Sequence, residues 1–334
     1  MKKTVFQIIL SLLCFSAQAQ KVSKIRAEQN GQDIVVHYTL ETASPCEVNL
    51  FLSQDNGSTW IGPLKNVSGD VGRNVYGGES QITWKVLAEQ EQLVGNRIKF
   101  KVVAKGKEVE VKTFDIEMVL VEGGSFQMGS DFGEGEEGPI HSVTVGTFKI
   151  GKYEVTQTQW NTVMGSIPSY FKECENCPVE NVSWNDAQRF IRKLNILTAK
   201  NYRLPTEAEW EFAAKGGNKS KGYTYSGSND LNSVAWSMEN SEFTPHAIHS
   251  KQANELGIYD MSGNVWEWCS DWYGVYNSYS ETNPKGIAYG QQRVIRGGSW
   301  DYNATSHRSS GRSKGNQGSS YNDFGFRLVL PVDH

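Results

Sequence analysis

The sequence predicts two domains of different class: an all-β sandwich over roughly the first third, then an α+β domain rich in irregular loops. Three observations predict it. Short apolar/polar alternations with turn signals between them fill residues 33–114. Three helix starts with capping-box spacing lie between residues 156 and 215. From Gly217 to Leu330 the chain is full of Gly, Ser and Asn with little periodicity. With 33 Gly, 10 Trp and 14 Tyr overall, it reads as loops anchored by aromatic side chains.

At 334 residues the chain is long enough for two domains with their own cores. Lys2 and Lys3 precede an apolar run over residues 5–15, followed by Ala17-Gln18-Ala19. This is the pattern of a secretory signal peptide over residues 1–19, and no later run is apolar enough to span a membrane. Lipidation at Cys14 fits less well, because Leu13 is too bulky for the position before a lipidated cysteine. The 33 basic and 37 acidic residues give −4, and loss of Lys2 and Lys3 takes the balance to −6. An acidic chain without a basic block argues against nucleic acid as a partner.

The expected β-domain covers residues 20–115. Ile34, Val36, Tyr38 and Leu40 fall on one face of a strand, with further strands at 47–52, 81–86, 97–104 and 108–114. Residues 53–60, Ser-Gln-Asp-Asn-Gly-Ser-Thr-Trp, read as an Asp-box turn with Trp60 packed beneath it. An immunoglobulin-like or fibronectin-like sandwich is expected. The second domain covers 118–332 and opens with alternating apolar residues around Gly123-Gly124, read as a β-hairpin. Thr156 with Gln159, Ser183 with Asp186 and Thr206 with Glu209 then open helices over 156–164, 185–199 and 207–215. Ala187, Phe190, Ile191 and Leu194 make one apolar stripe. A hundred residues of irregular backbone after that need another source of order, such as metal ions or buried aromatic anchors.

Six motifs carry a family resemblance: residues 121–129, 152–156, 178–184, Arg203-Leu204-Pro205-Thr206-Glu207-Ala208-Glu209-Trp210-Glu211, 256–273, and the segment from Arg296-Gly297-Gly298-Ser299-Trp300 to Gly325-Phe326-Arg327-Leu328. Over residues 118–331 the chain resembles the formylglycine-generating enzyme, or sulfatase-modifying factor, family. The resemblance implies a C-type-lectin-like fold that holds calcium. Its pairing with a β-domain is similar to exported proteins of the Bacteroidetes kind, implying the periplasm or cell surface of a Gram-negative bacterium.

In active members of that family two thiols follow the Gly-Gly-Ser, three and eight residues after the Ser, and bind copper(I), a soft ion that favours sulfur. Here Ser299 is kept, but the thiol positions hold Tyr302 and His307, and no cysteine follows Cys269. Copper is therefore not expected. The iron-dependent sulfoxide synthases that share this domain type need a histidine-rich helical partner, whereas this chain has six scattered histidines. The resemblance implies structural calcium on the Asp260 and Glu267 side chains and the Gly263 and Val265 carbonyls, hard oxygen donors from one tight loop. Glu137 is a weaker contributor to a second metal site. Cys174 and Cys177 precede Pro178 in a loop, which suits a local disulfide better than a redox or zinc motif. Cys269 is either buried or paired with Cys46.

The small-polar segment between Trp300 and Phe324 has the composition of an adaptable recognition surface. Its candidate contacts are Trp300, Asp301, Tyr302, Asn303, His307, Arg308, Arg312 and Tyr321. The expected protein is an exported, non-catalytic binding or scaffold protein (a pseudoenzyme) that holds a protein, peptide or glycan partner at the cell envelope. The alternative is an oxidase that converts a sulfatase cysteine to formylglycine with an altered metal site.

Overall fold

The computed structural model describes residues 21–332 apart from 43–44, 90–92, 94–96, 107–113, 115, 132–134, 173 and 175. The expected signal peptide and nearly all of the expected strand at 108–114 lie outside the described residues. The chain falls into two units divided between residues 110 and 111.

The first unit is mostly β. Its strands are β1 (Lys21–Asn30), β2 (Asp33–Glu41), β3 (Cys46–Ser53), β4 (Val67–Gly69), β5 (Gly72–Val75), β6 (Gly78–Trp84) and β7 (Lys99–Gly106). They form two antiparallel sheets, ordered β1-β2-β6-β4 and β5-β3-β7. Val36, Tyr38 and Leu40 of one sheet and Val48, Leu50 and Leu52 of the other share one buried cluster with Trp84. Burial of each such aliphatic side chain contributes about 1.5–3 kcal/mol. At the 53–60 turn the Asp55 carboxylate accepts from the Thr59 N–H and hydroxyl, at 2.8 and 2.6 Å. Trp60 is half-buried beneath the Lys101 ammonium rather than in the core.

The second unit is α+β. It continues with β8 (Met118–Val121), β9 (Gly124–Met128), β10 (His141–Val145), β11 (Phe148–Gly151), α1 (Gln157–Met164), α2 (Trp184–Thr198), α3 (Glu207–Ala214) and the single turn α4 (Leu231–Val234). The strands β12 (Trp266–Trp272), β13 (Glu281–Thr282), β14 (Arg293–Arg296), β15 (Arg312–Gly315), β16 (Phe324–Gly325) and β17 (Val329–Pro331) follow. All three capping boxes form, each hydroxyl accepting from the N3 backbone while the N3 side chain accepts from the cap N–H. Ala187, Phe190, Ile191 and Leu194 are the buried residues of α2.

The expected hairpin around Gly123-Gly124 does not form. Strand β8 pairs with β11, and β9 pairs with β10, so the two glycines carry the chain from one sheet to another. A Cβ on Gly123 would stand 2.7 Å from the Val145 carbonyl oxygen, and one on Gly124 would stand 2.1 Å from Asn218 Oδ1. These glycines serve close approach, not a turn.

The long segment after Gly217 is ordered by a curled sheet, β15-β14-β12-β16, and by buried arginines. Arg296, fully buried, donates to Glu207 at 3.0 Å, Glu211 at 2.5 Å and the Ser309 carbonyl at 2.9 Å. Arg312 donates to both oxygens of Glu207, at 2.8 and 2.7 Å. Aromatic anchors were foreseen; these buried ion pairs were not.

Candidate functional site

Strand β14 delivers the chain into Gly297 and Gly298, both at positive φ (96° and 77°). A Cβ on Gly298 would sit 3.1 Å from the His307 ring, so packing as well as conformation requires glycine there. Ser299 follows, buried, its Oγ donating to Asp323 Oδ2 at 2.9 Å.

The two positions that the resemblance matches to the family's thiols have separate structural fates. Tyr302 is 43% exposed, with its ring edge-on to Trp266 at 5.3 Å. Burial, with the charges of Asp323 and Asp301, pushes its phenol pKa up, so it stays protonated at neutral pH. His307 is fully buried. Its Nδ1 lies 2.7 Å from the Asn303 carbonyl and its Nε2 lies 3.1 Å from the Ser299 carbonyl. A neutral imidazole has one N–H, so it donates to one of these carbonyls while its other nitrogen is packed against the second, and neither nitrogen faces a metal. Burial also holds the His307 pKa below its ordinary value. Its role is to tie the 299–307 loop together.

The candidate recognition surface is smaller than the sequence reading had it. His307 and Trp300 are buried, and Arg312 is drawn into its pair with Glu207. Arg308 is paired with Glu137. That pairing commits Glu137, the weaker metal candidate, to a guanidinium. Asp301, Tyr302, Asn303 and Tyr321 are exposed. Tyr170 and Phe171 join them from a preceding loop: Phe171 meets Trp300 at 5.4 Å and Tyr170 at 5.0 Å. Beneath lie two carboxyls that sequence reasoning missed. Burial pushes Asp323 up to about 6 and Glu180 up to about 7. Glu180 accepts from the Phe171 N–H at 2.9 Å. No periodicity marks either acid; only the fold brings residues 169–180 beside 299–323.

At the start of β12, Glu267 is fully buried and receives Arg327 through two bonds of 2.6 Å, with Trp210 Nε1 at 2.8 Å. Asp260, also buried, accepts from the His249 N–H at 2.8 Å. Glu154, another residue sequence reasoning missed, accepts from Asn264 at 2.8 Å and the Val265 N–H at 3.3 Å. Burial, then the Asp260 and Glu267 charges, raises Glu154 well above the usual carboxylate range, and Asp260 is pushed up to about 6. Among the described residues no group of three or more His, Cys, Asp or Glu side chains is arranged to hold a metal ion. Two carboxylates plus two backbone carbonyls would be a different donor set.

Cys174 and Cys177 are joined by a disulfide, with Cα atoms 5.2 Å apart, while Cys46 and Cys269 are buried thiols that are not joined to each other. No helix among the described residues is long and apolar enough to cross a membrane.

A family model described as the sulfatase-modifying factor enzyme 1-like domain matches residues 104–332, so the chain belongs to that family. It is 38% identical over 239 residues to the chaperone protein LppX of Paenibacillus barcinonensis, covering 56% of this chain and 80% of that one. It is 29% identical to the formylglycine-generating enzyme of Streptomyces coelicolor, covering 64% of this chain and 89% of the enzyme. Of the serine/threonine-protein kinase Pkn1 of Chlamydia trachomatis the alignment covers only 40%. Among solved structures, Treponema denticola variable protein 1 superposes with a TM-score of 0.63 at 31% identity, covering 68% of this chain and 99% of that one. The domain is thus of the formylglycine-generating type without the family's pair of catalytic cysteines.

Proposed function

We propose that this protein is an exported, non-catalytic binding or scaffold protein that holds a protein, peptide or glycan partner at the cell envelope. The observation that carries the reading is His307. At the place of the second thiol stands an imidazole whose two nitrogens face backbone carbonyls, while Tyr302 at the first is a protonated phenol turned to solvent. Neither offers the soft, charged sulfur that retains copper(I).

The exposed rings of Tyr170, Tyr302 and Tyr321 form the binding face, large in area and poor in conformational freedom, over the buried acids Glu180 and Asp323. The first unit would be an immunoglobulin-like or fibronectin-like module that spaces or docks the second, whose fold would be C-type-lectin-like. Calcium would be held by Asp260, Glu267 and the Gly263 and Val265 carbonyls. The electrostatics support this: burial and the Asp260 and Glu267 charges hold a proton on Glu154 in the absence of an ion, and a divalent cation beside these carboxyls would favour their ionised forms. In the bound state Glu267 would be shared between the ion and Arg327.

The deciding experiment incubates copper-loaded protein with a sulfatase-type peptide, Cys-x-Pro-x-Arg, and reads its mass. An unchanged peptide is expected; conversion of the thiol to an aldehyde would replace this reading with that of an oxidase.

A further inference from the structure

A second site lies away from the Ser299 region. A cavity of about 270 Å³ opens between β12, α3 and the loop over residues 273–290, with Asp271, Glu207, Arg312, Tyr276 and Glu281 in its wall. That volume is at or below the small end of the range for small-molecule sites and suits a single side chain.

Its charges do not cancel. Glu207 is consumed by Arg296 and Arg312 and by the Tyr276 hydroxyl at 2.9 Å. Asp271 is buried and accepts only at Oδ2, from the Glu207 N–H at 3.1 Å and the Ser270 hydroxyl at 2.8 Å. Its Oδ1 accepts nothing from the described residues. Glu281 accepts from Asn277 at 3.1 Å, and its other oxygen lies 3.8 Å from His141 Nε2. Arg293, whose charge acts on Asp271, makes no ion pair with it among the described residues: its guanidinium is stacked on Trp184 and Trp272 and donates to the Ser270 carbonyl. Burial and the Glu207 charge push the Asp271 carboxyl up to about 7, the mark of an acid whose charge is not offset.

Around the mouth stand apolar and aromatic side chains that the chain leaves in water: Val275 is 84% exposed and Tyr279 64%. An acidic interior within an apolar rim is complementary to a long side chain that is apolar along its stem and cationic at its tip.

We propose that this cavity is a docking site for a partner protein, which inserts a lysine or arginine side chain between Asp271 and Glu281 and lays its flanking apolar residues on Val275 and Tyr279. The proposal does not depend on the role assigned to Tyr302 and its neighbours. A free amine would satisfy the two acids but would leave the rim unused.

The test titrates the full chain with an acetylated, amidated pentapeptide, Ala-Leu-Lys-Leu-Ala, followed by NMR or calorimetry. The expected result is binding about tenfold tighter than that of the same peptide with norleucine for lysine. Glu281→Gln, at the partly exposed wall, should weaken it several-fold, as should Val275→Lys, which offers the cavity a tethered cation of its own. Equal binding of the norleucine peptide, or unchanged binding by both variants, would overturn the proposal. Binding of n-butylamine as tight as that of the lysine peptide would also overturn it, since the rim would then contribute nothing.

Discussion

Arg327 grips Glu267 through Nε and Nη2, each 2.6 Å from a different carboxylate oxygen, and neither side chain reaches solvent. The same guanidinium donates to the carbonyls of Gly151 and Tyr259, both at 3.0 Å, so one residue ties together β11, the 256–265 loop and β12. Glu267→Gln should cost about 3–5 kcal/mol, because the buried guanidinium loses its bidentate charged acceptor. Replacing both residues by apolar ones of similar volume should cost less than the two single changes summed. Chemical unfolding in the presence of a calcium chelator measures both effects free of any metal contribution; an additive result would mean that the pair is not coupled.

Calcium binding at the neighbouring loop makes a separate claim on the same protein. An ion that binds only the folded state at a hundred times its dissociation constant stabilises by about 2.7 kcal/mol. For a unit of this size that raises the melting temperature by roughly 5–10 °C. Chelation should remove the increment, and Asp260→Ala with Glu267→Ala should abolish any response to added calcium. A melting curve indifferent to calcium in the parent protein would end the assignment.

Copper provides a check on the register of the thiol positions. Tyr302→Cys combined with His307→Cys should gain copper(I) affinity that the parent protein lacks, read by competition with a chromogenic chelator. The double variant should also lose about 1–3 kcal/mol, since the cysteine cannot reach both the Asn303 and Ser299 carbonyls that His307 bridges. Stability lost without copper gained would mean that residues 302 and 307 are not the paired positions.

How much of this was legible depends on whether the signal is local. The capping boxes at Thr156, Ser183 and Thr206 are written within four residues, and all three form. Strand β1 left no trace, because eight of its ten residues are polar or small, and it is largely exposed. The Gly123-Gly124 hairpin failed because the glycines answer to Val145 and Asn218, which lie 21 or more positions away. At the site, Ser299, Tyr302 and His307 were found by motif, yet which of them faces solvent was not, since His307 is buried by carbonyls of its own loop. Glu154, Glu180 and Asp323 stayed hidden because a lone acid in sequence carries no mark of burial.

Those hidden acids predict an unusual pH profile. Glu180 and Asp271 are pushed up to about 7 and Asp323 to about 6, all chiefly by burial. A carboxyl whose folded pKa lies above its unfolded value keeps a proton that the unfolded chain has released, so stability falls as pH rises between the two values. The window runs from about pH 4, below which both states are protonated, to about pH 7, above which both become ionised. Glu136 and Glu211, shifted the other way, act below their ordinary carboxylate values, while the lowered His307 opposes the trend below about pH 6.5 and offsets the contribution of one of the raised acids. With calcium in constant excess, the melting temperature should therefore be higher at pH 5 than at pH 7.5. Glu180→Gln removes one titrating group and should flatten the slope by up to about 1.4 kcal/mol per pH unit. A profile unchanged by that substitution would show that Glu180 is ionised throughout in the folded protein.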